Sequence, residues 1–209
     1  MRFLICLFIT LFSFNAFAGD ITMSSDYTPQ ADIQNTRPSG YPVATLAGGC
    51  FWCMESEFRR LSGVLFTESG YAGEANRAVT YNEVSRGDTG FREVIQVVFD
   101  PAKISYEQIL RHFMLQSHDP TQTDGQGVNI GFQYTSAIYA SNDEQLRQAQ
   151  TVIADLKAEK AFKNPIATEI IALKHYVKAE DYHQQYYEAY EDKTGRKHIN
   201  ILIKERKLK

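Results

Sequence analysis

A two-layer α+β sandwich is the fold class predicted by this 209-residue sequence, and three observations predict it. Helical and strand patterns mix along the chain without the strict alternation that a doubly wound parallel sheet requires. One segment, Glu93 to Phe99, alternates with period two: Ile95, Val97 and Phe99 share a face, Val94, Gln96 and Val98 take the other, and Asp100-Pro101 stops it. The chain is long enough for one well-cored domain and shows no internal repeat.

The N-terminus carries Arg2, an apolar run from Phe3 to Phe14 too short to span a bilayer, and Ala16-Phe17-Ala18 with small residues where a signal peptidase reads. Residues 1–18 are expected to be a cleaved secretory signal, which makes the mature chain periplasmic or secreted with no membrane attachment. A retained anchor is the alternative, and the short run with its early small-residue site weighs against it. Residues 19–41, polar and containing Ser24-Ser25, Pro29 and Arg37-Pro38-Ser39-Gly40, are expected to form an exposed arm. A single catalytic domain with a C-terminal tail is expected over 42–209, its folded part ending near residue 200 and its last residues, Lys204 to Lys209, basic and solvated.

Within that domain Val43 to Leu46 predicts a strand, Gly48-Gly49 a tight turn, and Phe51, Met54, Phe58 and Leu61 a helix ending near Ser62-Gly63. Residues 64–71 and 93–99 predict the next strands, and Glu93 shares its face with three apolar side chains. Ser105-x-x-Gln108 has the form of a capping box opening a helix with Ile109, Leu110, Phe113 and Met114 as its stripe. A glycine-rich loop over 119–132 leads to a strand around Tyr134 to Tyr139. Ser141 or Asn142 then caps a helix with Leu146, Ala149, Val152, Ile153 and Leu156 inward, and residues 166–173 give one more strand. From Asp181 to Tyr190 the sequence is tyrosine-rich, polar and irregularly patterned.

The chemistry concentrates at Gly48-Gly49-Cys50-Phe51-Trp52-Cys53. Of three cysteines, Cys6 leaves with the signal, and the remaining two are too few and too close for a disulfide scaffold. They are expected to be reactive. In the first turn of a helix, Cys50 lies where unpaired N–H groups and the helix dipole favour thiolate. Two large rings beside that sulfur point to a pocket for a small apolar group. The formal charge of −3, which becomes −4 once Arg2 is removed, gives no reason to expect nucleic acid.

Gly49-Cys50-Phe51-Trp52 resembles the signature of the A-type peptide-methionine sulfoxide reductases, and later segments agree in order: Ser69-Gly70-Tyr71, Tyr81-Asn82-Glu83-Val84, Gly87-Asp88-Thr89-Gly90 before Glu93, His118-Asp119-Pro120-Thr121, Gln133-Tyr134 with Ser136-Ala137-Ile138, and Ala179 to Gln184 with Tyr186-Tyr187. The likeness runs from about residue 42 to about 190. It implies a ferredoxin-like α/β plait with a mixed sheet and a long, largely irregular C-terminal region. It also implies a monomer with no bound cofactor or metal, regenerated by an external thioredoxin-like thiol reductant, acting on the S epimer of methionine sulfoxide, free or in proteins. By resemblance Cys50 is the nucleophile that becomes a sulfenic acid, Glu93 the acid, Tyr81 and Tyr134 the hydroxyls that hold the sulfoxide oxygen, and Phe51 with Trp52 the methyl pocket.

Taken singly, Glu93 reads as an edge-strand carboxylate and the tyrosines as half-buried packing. Three positions depart from the family pattern: Asn129 stands where an acid is usual, Phe91 where histidine is, and Glu74 where glycine is. The family's C-terminal cysteine is also missing, which leaves Cys53 as the candidate resolving residue, or an external thiol in its stead. Two rival readings use the same residues. A general dithiol-disulfide oxidoreductase would need only Cys50 and Cys53, and a zinc site would join them to His112, His118, His175 or His183. A binding module disabled by Asn129 is the third alternative.

Overall fold

The computed structural model describes residues 33–198. The expected signal at 1–18, the first part of the arm and the basic tail lie outside the described residues. Strands are β1 (Val43–Ala47), β2 (Val64–Gly73), β3 (Arg92–Phe99), the short pair β4 (Gly125–Gln126) and β5 (Asn129–Ile130), β6 (Ala137–Ala140), β7 (Glu169–Ala172) and β8 (His175–Lys178). Helices are α1 (Phe51–Phe58), α2 (Tyr81–Val84), α3 (Tyr106–His112), α4 (Asp143–Ala158) and α5 (Tyr186–Thr194).

The main sheet has the order β7-β6-β1-β3-β2-β8. Its middle four strands, β6-β1-β3-β2, pair antiparallel, with α1 crossing from β1 to β2 and α3 leading from β3 towards β6. That is the ferredoxin-like plait. Helix α4 returns β7 parallel to β6, which makes the sheet mixed, and β8 adds antiparallel to β2. Two helices bury the stripes their sequences mark: Phe51, Met54, Phe58 and Leu61 around α1, and Ile109 and Leu110 along α3, continued by Phe113 and Met114 in the π-helical turn Phe113–Ser117 that follows it. Against them the sheet presents Leu46, Ile95, Val97, Phe99 and Ile138, while Ala47, Val94 and Tyr139 form a smaller cluster on the opposite face.

Several boundaries differ from the expected ones. Helix α1 ends at Phe58, because Arg60 and Leu61 close back on residues only three positions earlier, and Gly63 turns the chain left-handed at φ +88° beyond them. Strand β6 begins at Ala137, since Phe132–Tyr134 forms a 3-10 turn that takes Tyr134 off the sheet. The glycine-rich loop contains the β4–β5 hairpin, and the tyrosine-rich stretch folds into a 3-10 turn at Asp181–His183 followed by α5. Glu93 is no edge residue: β3 runs between β1 and β2, with Glu93 registered opposite Tyr71. The described end of the arm is mostly exposed yet pinned, with Ile33 on the core, Gln34 N–H donating to the Leu65 carbonyl at 2.7 Å, and Arg37 donating to Gln96 at 2.7 Å.

The double glycine is where two elements meet. A Cβ on Gly48 would lie 2.8 Å from the Phe113 ring, and one on Gly49, whose φ is +100°, would lie 2.7 Å from the Gln126 side chain. Gln126 in turn bonds both the N–H and the carbonyl of Asp119, so the hairpin sits flush on the turn before α1. Gly49→Ala is expected to cost more than about 1 kcal/mol through its backbone conformation alone and to push the hairpin off the turn. A urea midpoint equal to wild type would show that the close approach is dispensable.

Candidate active site

Cys50, Phe51, Trp52, Cys53, Tyr81, Glu93, Asn129 and Tyr134 line one cavity of about 200 Å³. These are the eight residues singled out in the sequence, and five separate elements deliver them. The turn and first turn of α1 bring Cys50 to Cys53; α2 brings Tyr81; β3 brings Glu93; the β4–β5 hairpin brings Asn129; the 3-10 turn brings Tyr134.

Cys50 is the N-cap of α1 and its carbonyl accepts from the N–H groups of Cys53 and Met54, at 3.1 and 3.2 Å. The N–H of Phe51 donates to the Glu93 carboxyl at 3.0 Å. Glu93 is 2% exposed. Burial pushes its carboxyl up to about 8, against the Phe51 N–H that favours the charged form. The helix start therefore serves Glu93. Cys50 gains less from it than the sequence led one to expect: a hydrogen bond to the Cys53 side chain, then burial, then the charges of Cys53 and Glu93 hold the Cys50 thiol well above the ordinary cysteine range.

The two tyrosines face the same cavity and remain protonated. Burial raises Tyr81, with Glu93 and Cys50 adding to the effect, and burial and Glu93 push Tyr134 up to about 12. Both hydroxyls are donors at neutral pH. Their supporting turns are tied together, because Gln133, 4% exposed, donates to the Ser85 carbonyl just after α2 at 3.1 Å. Arg92 fixes the other side of the 3-10 turn, donating to Thr135 at 2.7 Å with its guanidinium 4.3 Å from the Phe132 ring centre.

Phe51 is both wall and core, 1% exposed against Tyr71 and His183. Trp52 is half-buried: Tyr186 stacks on it at 3.9 Å and 11°, and its indole N–H donates to His183 Nδ1 at 3.0 Å. Since that nitrogen accepts, the neutral His183 ring carries its proton on Nε2, 3.8 Å from the Glu180 carboxylate. Burial holds His183 below its ordinary value. Glu180 also accepts from the Tyr71 hydroxyl and the Tyr81 N–H, at 2.9 and 3.0 Å.

Glu180, Tyr186 and Tyr187, to which sequence reasoning assigned no role, thus stand behind the cavity with His183, considered there only as a zinc ligand. The only signal was their place in the ordered motif series ending at Tyr187. The other three histidines considered as zinc ligands do structural work: His112 pairs with Glu57 at 2.9 Å, His118 bridges the Phe113 carbonyl and Ser136, and His175 bonds the Arg77 carbonyl, while His198 stacks on Tyr187 at 4.7 Å. Of the departures from the family pattern, Phe91 is buried beside His175, Glu74 pairs on the surface with Lys174, and Asn129 alone reaches the cavity.

A plait with a cysteine at a helix start, a buried neutral carboxyl and two tyrosine hydroxyls defines a class, and comparison with known proteins agrees. The family model described as peptide methionine sulfoxide reductase matches residues 42–209, and the chain belongs to that family. Within it the chain is a methionine sulfoxide reductase of the A type. It is 43% identical over 157 residues to the MsrA of Methanosarcina acetivorans, covering 75% of this chain and 83% of that one. It is 44% identical over 177 residues to the MsrA/MsrB protein of Vibrio cholerae, covering 85% of this chain and 46% of that longer one. The reduced form of Mxr1 from Saccharomyces cerevisiae superposes with a TM-score of 0.67 at 30% identity, covering 79% of this chain and 93% of that one.

Because the folded state binds a proton on Glu93 that the unfolded chain has already lost, the stabilising contribution of this carboxyl is largest below its ordinary value of 4.5 and declines as pH rises to about 8. The difference in unfolding free energy between wild type and Glu93→Gln should follow that decline. Parallel stability curves over this window would place the carboxyl in water instead.

Proposed function

We propose that this chain reduces the S epimer of methionine sulfoxide, free or in oxidised proteins, with Cys50 as nucleophile and Glu93 as acid. The observation that carries the reading is the pairing of Cys50 with a carboxyl kept neutral up to about 8 inside one small cavity. The substrate methyl group packs between Phe51 and Trp52, whose rings suit sulfur-bearing groups. The hydroxyls of Tyr81 and Tyr134 converge on the sulfoxide oxygen. Cys50 attacks the sulfoxide sulfur as its own proton departs, and Glu93 delivers a proton to the oxygen. The new S–S bond and the substrate S–O bond then break as the oxygen passes to Cys50, so methionine leaves, Cys50 becomes a sulfenic acid, and the proton that Cys50 released replaces the one Glu93 gave.

Regeneration runs through Cys53. Its sulfur displaces the oxygen of the sulfenic acid as water and closes a Cys50–Cys53 disulfide, in the manner of Cys-x-x-Cys pairs at helix starts. An external dithiol of the thioredoxin type then supplies two electrons. Yeast Mxr1, which shares the fold, has been solved in complex with Trx2. Residues 1–18 direct export, and outside the cytosol such a dithiol must be kept reduced by a dedicated electron supply.

Turnover of each epimer with dithiothreitol tests the assignment. Wild type is expected to reduce the S epimer alone, Cys50→Ser to be inactive, and Glu93→Gln to lose about 10²- to 10⁴-fold, the usual contribution of a general acid. Reduction of insulin without sulfoxide turnover would establish the dithiol oxidoreductase in its place.

The acid must be protonated to act, so kcat/KM should fall as pH rises through about 8. Asn129→Asp adds a like charge beside Glu93 and should move that limb to higher pH. A superimposable pH profile would mean that position 129 does not tune the site.

A further inference from the structure

Helix α5 is bolted to α1 on both sides of one tyrosine. Ahead of it, Gln185 adopts a left-handed conformation, φ +50°, and its N–H donates to Glu55 of α1 at 2.8 Å. After it, Glu188 accepts from Ser56 at 3.0 Å and lies 3.6 Å from Arg59. Between these clamps Tyr187 is 1% exposed, packed against Trp52, Cys53 and Tyr186, with its hydroxyl 3.1 Å from the Cys53 sulfur. Cys53 lines the same cavity as Cys50, three residues further along the start of α1. The Tyr187 hydroxyl therefore reaches from α5 to the second thiol, and the second thiol faces the cavity of the first.

We propose that Tyr187 is the positioning residue for the disulfide-closing step: its hydroxyl holds the Cys53 sulfur beside Cys50 and stabilises the thiolate that attacks the sulfenic acid. This rests on the reading that Cys53 resolves. While Cys53 is a thiol, either atom can donate. Once it ionises the sulfur can only accept, so the contact becomes a hydrogen bond from the phenol to a charged acceptor, the stronger kind. In the step itself the Cys53 thiolate forms the S–S bond, the S–O bond of the Cys50 sulfenic acid breaks, and the departing oxygen takes up the proton that Cys53 released and leaves as water. No outside oxidant is needed, since the sulfenic acid is the two-electron acceptor. The phenol changes neither charge nor redox state, and Cys50 has no comparable partner on α5.

Tyr187→Phe deletes the hydroxyl and keeps the ring in its packing. After one equivalent of methionine sulfoxide without reductant, quenched samples read by intact mass should show closure, a loss of two hydrogens, slowed about tenfold relative to methionine release, the worth of one hydrogen bond to a charged group. The sulfenic acid, a gain of one oxygen, should then accumulate and be trapped by dimedone. In the Cys50→Ala background the pH midpoint for alkylation of Cys53 should rise when Tyr187 becomes Phe, a readout that a purely structural role would leave unmoved. Unchanged closure and an unchanged alkylation profile overturn the role of Tyr187 alone. A wild type that stops at the gain of one oxygen overturns the resolving role of Cys53, and this inference with it.

Discussion

The contact on which the site depends is the hydrogen bond from the Phe51 N–H to the Glu93 carboxyl. It joins the start of α1 to the start of β3, so it fixes the distance between the helix that carries Cys50 and the strand that carries Glu93. It is also a balance between opposing effects. A free N–H at a helix start favours a carboxylate, and a dry cavity disfavours one. Burial wins, and the result is an acid that remains loaded at neutral pH. Without the burial it gains at the junction of β3 and α1, Glu93 would be an ordinary ionised side chain.

Around that contact the chain places its polar groups through backbone turns that the sheet alone could not supply. Gly48 and Gly49 let Phe113 and Gln126 come within a methyl group's distance of the turn, which seats the hairpin carrying Asn129. Gln133 ties the turn that carries Tyr134 to the residue just after the helix that carries Tyr81. Behind the aromatic wall, His183 and Glu180 fix the indole of Trp52 and the backbone of Tyr81. The C-terminal helix closes the back of the site. It is joined to α1 through Glu55, Ser56, Trp52 and Cys53.

Reactivity of the first thiol is set by this crowding. A cysteine at the N-cap of an isolated helix would be drawn towards the thiolate. Here the Phe51 N–H is engaged by Glu93, and burial together with the neighbouring Cys53 raises the Cys50 thiol. The site sets this sulfur in one cavity with a carboxyl that burial keeps protonated.

The sequence by itself determined the strands at 43–46 and 93–99, each within one residue of the observed ends, the capped helices α3 and α4, and the identity of the eight cavity residues, because period, capping boxes and the ordered motif series are local properties of the chain. Asn142 caps α4 and Ser105 caps α3 as their spacing requires. Only the tertiary structure decided which way the local field at Cys50 acts, where β6 begins, that Glu93 is interior, and that the tyrosine-rich stretch becomes a helix. Those outcomes depend on partners far apart in the chain: Glu93 is 42 residues from Phe51, and Gln185 is 130 from Glu55. No windowed pattern registers such a pair. Burial and an N–H shared between two claimants are settled when the elements pack, and that is where an ordinary carboxyl and an ordinary thiol acquire their chemistry.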